Sequence, residues 1–146
     1  MSVLDEIGGY LALAGLASSS GAGGYTLVQH WLPDSTALPN KTVALIETGG
    51  APPSLPLELD HPGFQVQVRG EPVTRVATTF TDTRAQADAI FAALHGLGPK
   101  TLPSTSAAAS RYYPFIAANH SPALLHVDPV GRPVMVCNFT ATRSRT

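Results

Sequence analysis

Residues 112–143 read YYPFIAANHSPALLHVDPVGRPVMVCNFTATR, and this stretch decides the fold. Its second half alternates: Met135, Cys137, Phe139 and Ala141 take one side, and Val134, Val136 and Asn138 the other. A period of two marks a strand with one packed face. The first half is rich in aromatic and branched residues and predicts a partner strand. Between them lies the turn Asp128-Pro129-Val130-Gly131-Arg132, with Gly131 placed where a tight connection asks for positive φ. Phe139 is expected to point inward beside Met135 and Cys137.

Upstream, Phe64, Val66 and Val68 alternate strictly with Gln65, Gln67 and Arg69. This predicts a strand with a buried face and a wet face, Arg69 on the wet one. Thr42 to Glu47 carries the apolar run Val43-Ala44-Leu45-Ile46, which suits a strand covered on both sides. Tyr25 to Leu32 is a third strand, stopped by Pro33 and Asp34. Gly49 to Pro56 (GGAPPSLP) is expected to be a loop, because its prolines cannot donate to a ladder.

Ser2 to Leu16 places Val3, Ile7, Tyr10, Leu11 and Ala14 on one helical face behind the capping box Ser2-x-x-Asp5. The paired glycines Gly8 and Gly9 suggest close packing of a neighbour. A second helix is capped at Asp82 or Thr83 (Thr83-x-x-Gln86), buries Ala87, Ile90, Phe91 and Leu94, and stops at Gly96, Gly98 and Pro99. Val73 to Phe80 is expected as a short strand or extended arm, and Ser18 to Gly24 and Ser104 to Ser110 as small-residue connections. The order is α-β-β-β-α-β-β: an α+β sandwich of about five mostly antiparallel strands with two helices on one face. At 146 residues, the length prior makes 1–146 one domain.

Charged residues make up 13% of the chain, against a usual ~25%, so part of the surface is expected to meet protein. Net charge is −1 with no basic run, which argues against binding nucleic acid by phosphate neutralisation. Asp5 and Glu6 stand where a secretory leader would be basic. The apolar run Leu11 to Ala17 falls well below the ~20 residues of a membrane span. A soluble protein made in the cytoplasm is expected, with no membrane partner.

The chemistry is sparse. His30, His61, His95, His120 and His126 lack metal-ligand spacing. His95, in a helix's last turn, is explained by the macrodipole. Gly21-x-Gly23 follows no strand and lacks a third glycine, so it is no phosphate loop. No serine sits in a G-x-S-x-G elbow, and the lone Cys137 reads as a buried hydrophobe. No catalytic residue, cofactor or metal is expected. What remains is a shaped strand exit, Glu47-Thr48-Gly49-Gly50-Ala51-Pro52-Pro53: a plain turn or a contact loop.

Several of these strings, in order, resemble one family. They are Val3-Leu4-Asp5-Glu6-Ile7, Leu32-Pro33-Asp34-Ser35, Val43 to Gly50, Pro62 to Arg69, Ile90 to Gly96, His120-Ser121-Pro122, Asp128 to Pro133, and Asn138-Phe139. Together they are similar to the tail-terminator, tail-completion or minor capsid neck proteins of long-tailed bacteriophages. The resemblance implies a virion protein assembled in the host cytoplasm. It implies a ring, commonly of six copies, that caps the tail tube protein and joins it to the head-tail connector or stopper. DNA passes through such a ring without sequence-specific binding. Two segments, Gly70 to Asp82 and Ser104 to Ser110, are longer than the family pattern. The residues expected to meet neighbouring copies or axial partners are Glu47, Thr48, Gly49, Gly50, Pro52, Pro53, Gln65, Gln67, Arg69, Val73, Arg75 and Phe80. A head-completion protein, or a small enzyme or ligand-binding domain, is the alternative.

Overall fold

The structure is a computed structural model that describes residues 2–21, 24–103 and 110–145, with Leu55 and Pro103 described by backbone alone. It contains two helices, α1 (Val3–Leu13) and α2 (Thr79–Leu94), and a 3-10 turn at Leu55–Leu57. Ten strands are described, twice the expected number: β1 (Thr26–Gln29), β2 (Thr42–Glu47), β3 (Ala51–Ser54), β4 (Leu59–His61), β5 (Gly63–Arg69), β6 (Lys100–Pro103), β7 (Ser110–Tyr113), β8 (Phe115–Ala118), β9 (Ala123–Val127) and β10 (Pro133–Ser144). The class is α+β, and every pairing in the main sheet is antiparallel except that of β1 with β2.

The expected strands were counted too low because prolines cut long strands into pieces. β4 and β5 run in one unbroken register along β10, from Asp60 opposite Arg143 to Arg69 opposite Val134. Pro62 accepts from Ala141 N–H at 2.9 Å but has no N–H to return, so the ladder is interrupted there. On the other flank of β10, the expected single strand is divided: β8 and β9, separated by His120-Ser121-Pro122, pair with β10, while β7, cut off by Pro114, belongs to a separate two-stranded sheet. β6 pairs only with β7.

GGAPPSLP is not all loop. Ala51 and Ser54 pair with His61 and Leu59, and Pro52 and Pro53 fall in the register shift between them. The prolines are tolerated because this is an edge strand whose paired positions are not proline. β2–β3 and β4–β5 therefore form one long kinked hairpin.

Both helices cover the face that carries Phe64, Val66, Val68, Met135, Cys137 and Phe139, all buried. Phe139 does point inward and stacks on Phe64, centroids 5.1 Å apart. In α1 the Ser2–Asp5 capping box forms in both directions. An ideal Cβ on Gly8 would stand 3.0 Å from Leu27, so the glycine admits β1 closely. α2 begins at Thr79 with Thr78 as its N-cap, four or five residues earlier than expected. Val73 to Phe80 is thus a turn leading into a helix, not a strand or arm. Thr83 is buried, not a cap, and Gln86 donates to Leu16 O at 2.7 Å. His95 stacks on Phe91, and its Nδ1 accepts from Ala118 N–H at 3.0 Å. In the expected 104–110 connection, Ser110 opens β7 and the rest lies outside the described residues, as do Ala22 and Gly23.

Candidate interaction surface

The helix-free face of the sheet is polar along its middle. Gln67 donates to Gln65 (2.7 Å) and Gln65 to Asn138 (3.0 Å). Asn138 meets His120 Nε2 through both its backbone N–H and its side chain (3.2 and 2.9 Å). Gln65 and Gln67 are half-buried in this chain of bonds, as period-two placement requires.

Arg69 departs from the wet-face placement. It shares that face but is fully enclosed, donating to the carbonyls of Pro33, Pro39 and Asn40 and to Thr42 Oγ1. Arg132 is buried beside it. Its Nε contacts Asp128 Oδ2 at 2.7 Å, and its remaining donors reach Asp34 O, Ser35 O and Asn40 Oδ1. The segment 33–40 is folded under the sheet by these two guanidiniums, which supply the donors that its bent backbone lacks. Burial alone would raise the Asp128 carboxyl, but the Arg132 backbone N–H, then its guanidinium, hold it below the usual carboxylate range. The Asp128-x-x-x-Arg132 spacing across a turn was visible in the sequence, but the partner loop was not.

At the kink of the long hairpin, Glu47, Thr48, Gly49, Gly50, Pro52 and Pro53 are all exposed. Thr48 N–H bonds Gly63 O at 3.0 Å, continuing the β2–β5 ladder. Gly50 has φ +81°, and an ideal Cβ there would collide with the His61 carbonyl. Beside it, Gly49, Ala51, Pro53, Asp60, His61, Pro62 and Arg143 line a cleft of about 230 Å³. His61 is held by Ser54 (2.8 Å) and Thr142 (3.3 Å).

Behind that cleft lies an ionic cluster that sequence reasoning missed. Glu6, fully buried, meets Arg143 at 3.1 Å and Arg111 at 3.4 Å and accepts from the Tyr113 hydroxyl. Asp60 meets Arg111, Arg143 and Arg145 at 3.9, 3.7 and 3.5 Å. Burial, then the Glu6 contact, push the Tyr113 phenol far up. The available signal was Glu6 itself, an acid three residues after Val3 on the apolar side of α1. Such a residue needs partners, because an unpaired buried charge is costly.

Val73 and Arg75 sit in the turn before α2, and Phe80 in its first turn, all exposed. They lie beyond the Arg69 end of β5, so the residues singled out from the sequence form separate regions: the hairpin kink, the polar face and this corner. Among the described residues, no group of three His, Cys, Asp or Glu side chains converges as metal ligands. Cys137 donates to His120 O at 3.1 Å, and burial pushes its thiol up to about 11. It is a poor nucleophile at neutral pH.

The fold and its surface define a small α+β domain whose described chemistry is that of contact: hydrogen-bonding faces, a shaped hairpin and locked ion pairs. Residues 10–145 match the bacteriophage tail terminator protein family, and the chain belongs to it. It is a structural protein of the phage tail and a component of the virion. No curated protein matches the chain. No helix among the described residues is long and apolar enough to cross a membrane.

Proposed function

We propose that this chain closes the head-proximal end of the tail tube as a ring, of six copies in the simplest form, and joins it to the head-tail connector. The observation that carries the reading is the family match over residues 10–145, almost the whole chain. The surface is compatible with it, since a structural ring needs contact area and not a pocket of reactive groups. Tail tube protein is the partner below and the connector or stopper protein the partner above. DNA passes through the ring, and the near-neutral charge would leave it unbound. No cofactor and no catalytic step enter this function.

The test uses tails assembled without the protein. Purified protein is added, and the ends are viewed by electron microscopy. A density capping one tube end, followed by head joining, is the expected result. Tails that join heads equally well without the protein would overturn the reading.

A further inference from the structure

The exposed large apolar side chains of this domain are not scattered evenly. Six of them, Tyr112, Phe115, Leu124, Leu125, Val127 and Val130, lie along β7, β8, β9 and the following turn; β8 and β9 form the edge on one flank of β10, and β7 precedes them in a separate two-stranded sheet. All five residues of β9 are exposed, and the strand holds neither proline nor Asp, Glu, Lys or Arg. Among the described residues it pairs with β10 alone.

The other edges carry devices that discourage pairing. β3 holds Pro52 and Pro53. The outer side of β1 is bridged by Ser18, whose N–H and carbonyl bond Tyr25 and Leu27. β6 begins at Lys100 and ends at Pro103. Sheet edges left apolar and open invite association, and proteins normally blunt them. β9 carries only a bulge, a register shift between Val134 and Met135 that leaves Leu125 as the extra residue. A bulge can re-aim a side chain, and here Leu124 and Leu125 are both about half exposed, at 49% and 47%.

On the opposite edge of the same sheet, just past β1, stands Trp31, 66% exposed and the one tryptophan in the chain. We infer that the β9 edge, anchored by Leu124 and Leu125, docks on the Trp31 side of a second copy of this chain. Two different surfaces on opposite edges make a head-to-tail contact, which closes into a ring when the rotation allows. The area fits. Six roughly half-exposed side chains, at ~150–200 Å² each, offer ~400–550 Å². This is about half to two-thirds of the ~800 Å² per partner of a standard interface. Tryptophan and its apolar neighbours are also the residue types that anchor interfaces. Closure into a ring rests on the function proposed above, but the contact itself does not.

The experiment compares wild type, Leu124→Glu/Leu125→Glu and Trp31→Ala by sedimentation, with Trp31 emission recorded where that residue is present. The substituted side chains are exposed, so circular dichroism should be unchanged. Wild type should associate, with Trp31 emission moving to the blue as concentration rises. Each variant should weaken association at least about thirtyfold. Mixing the two variants should give a capped heterodimer, since one retains its β9 edge and the other its Trp31 side. A wild type that stays monomeric up to its solubility limit overturns the inference. So does association with unmoved Trp31 emission, or a mixture that forms no heterodimer. A closed ring that survives Leu124→Glu/Leu125→Glu overturns the inference and spares the ring reading. Variant-sensitive open dimers or chains would do the reverse.

Discussion

Asp128→Ala should be among the most damaging single changes in the domain. The Asp128 and Arg132 side chains are 1% and 0% exposed. Asp128 Oδ2 lies 2.7 Å from Arg132 Nε, and Oδ1 accepts the backbone N–H groups of Val130 and Arg132 at 3.0 and 2.9 Å. Removing the carboxylate leaves a buried guanidinium facing only neutral acceptors, Asp34 O, Ser35 O and Asn40 Oδ1. Breaking one side of such a pair costs about 3–5 kcal/mol, a large part of the ~5–15 kcal/mol that holds a domain folded. For a chain of this size each kcal/mol moves the midpoint by ~2–4 °C. The melting temperature should therefore fall by about 6–20 °C. Asp128→Ala/Arg132→Met should recover at least half of that loss, because an apolar replacement leaves no stranded charge. Thermal and urea melts followed by circular dichroism measure both. A loss under ~1 kcal/mol for Asp128→Ala, or a double variant weaker than the single, would refute the reasoning.

Phe139→Ala removes a ring stacked on Phe64 in the closed core and should cost about 3–5 kcal/mol in urea melts. Gly50→Val combines a φ of +81° with a collision at the His61 carbonyl, so the hairpin kink must open; a melting temperature within a degree of wild type would show that the kink is not held as described. The folded Asp128 carboxyl sits below its unfolded value, so its contribution is complete above about pH 4 and is lost as pH falls through the folded value; Asp128→Asn should flatten the stability profile in that acid range. Gln65→Ala/Gln67→Ala should change stability little but reduce head joining if the polar face meets a neighbour, read by the yield of complete particles.

Period-two and helical patterns were legible wherever one face of an element packs. Phe64, Val66 and Val68, Met135 through Ala141, and the Ser2–Asp5 box all lie where the pattern puts them. What the pattern could not carry was the effect of proline in context. Pro52 and Pro53 argue against a ladder in isolation, yet an edge strand with a register shift accommodates them. Pro114 and Pro122 divide the stretch from β7 to β9 into segments that a hydropathy reading merges. Arg69 was misplaced for a different reason. Alternation assigns a side, not what covers it, and the cover is the segment 33–40, whose carbonyls bind Arg69 from about thirty residues away in sequence. The start of α2 was missed because Thr83, a buried polar residue inside the helix, fits a capping rule and so reads as a boundary.

The distribution of charge matters more than its total. Of the nine Lys and Arg residues, Arg69 and Arg132 are wholly enclosed and Arg111 and Arg143 largely so. Glu6 and Asp128 are buried with them. Much of a small charge complement thus works inside the molecule, fixing segment 33–40 and the hairpin base. The outer surface is poorer in charge than 13% suggests. A surface depleted of charge is typical of the core of an interface, and one with few free cations has little means of gripping a phosphate backbone, because each neutralised phosphate needs its own Lys or Arg. Both properties suit a subunit whose proposed work is to hold neighbours while DNA slides by. They also fix where that proposal is most exposed to test. Added lysines on the polar face, at Gln65 and Gln67, should leave folding intact, since these side chains are only half-buried and bond chiefly to each other and to Asn138. If that face lines the channel, the same lysines should slow DNA ejection in a salt-dependent way. Ejection that is unchanged at low salt would place the polar face elsewhere on the ring.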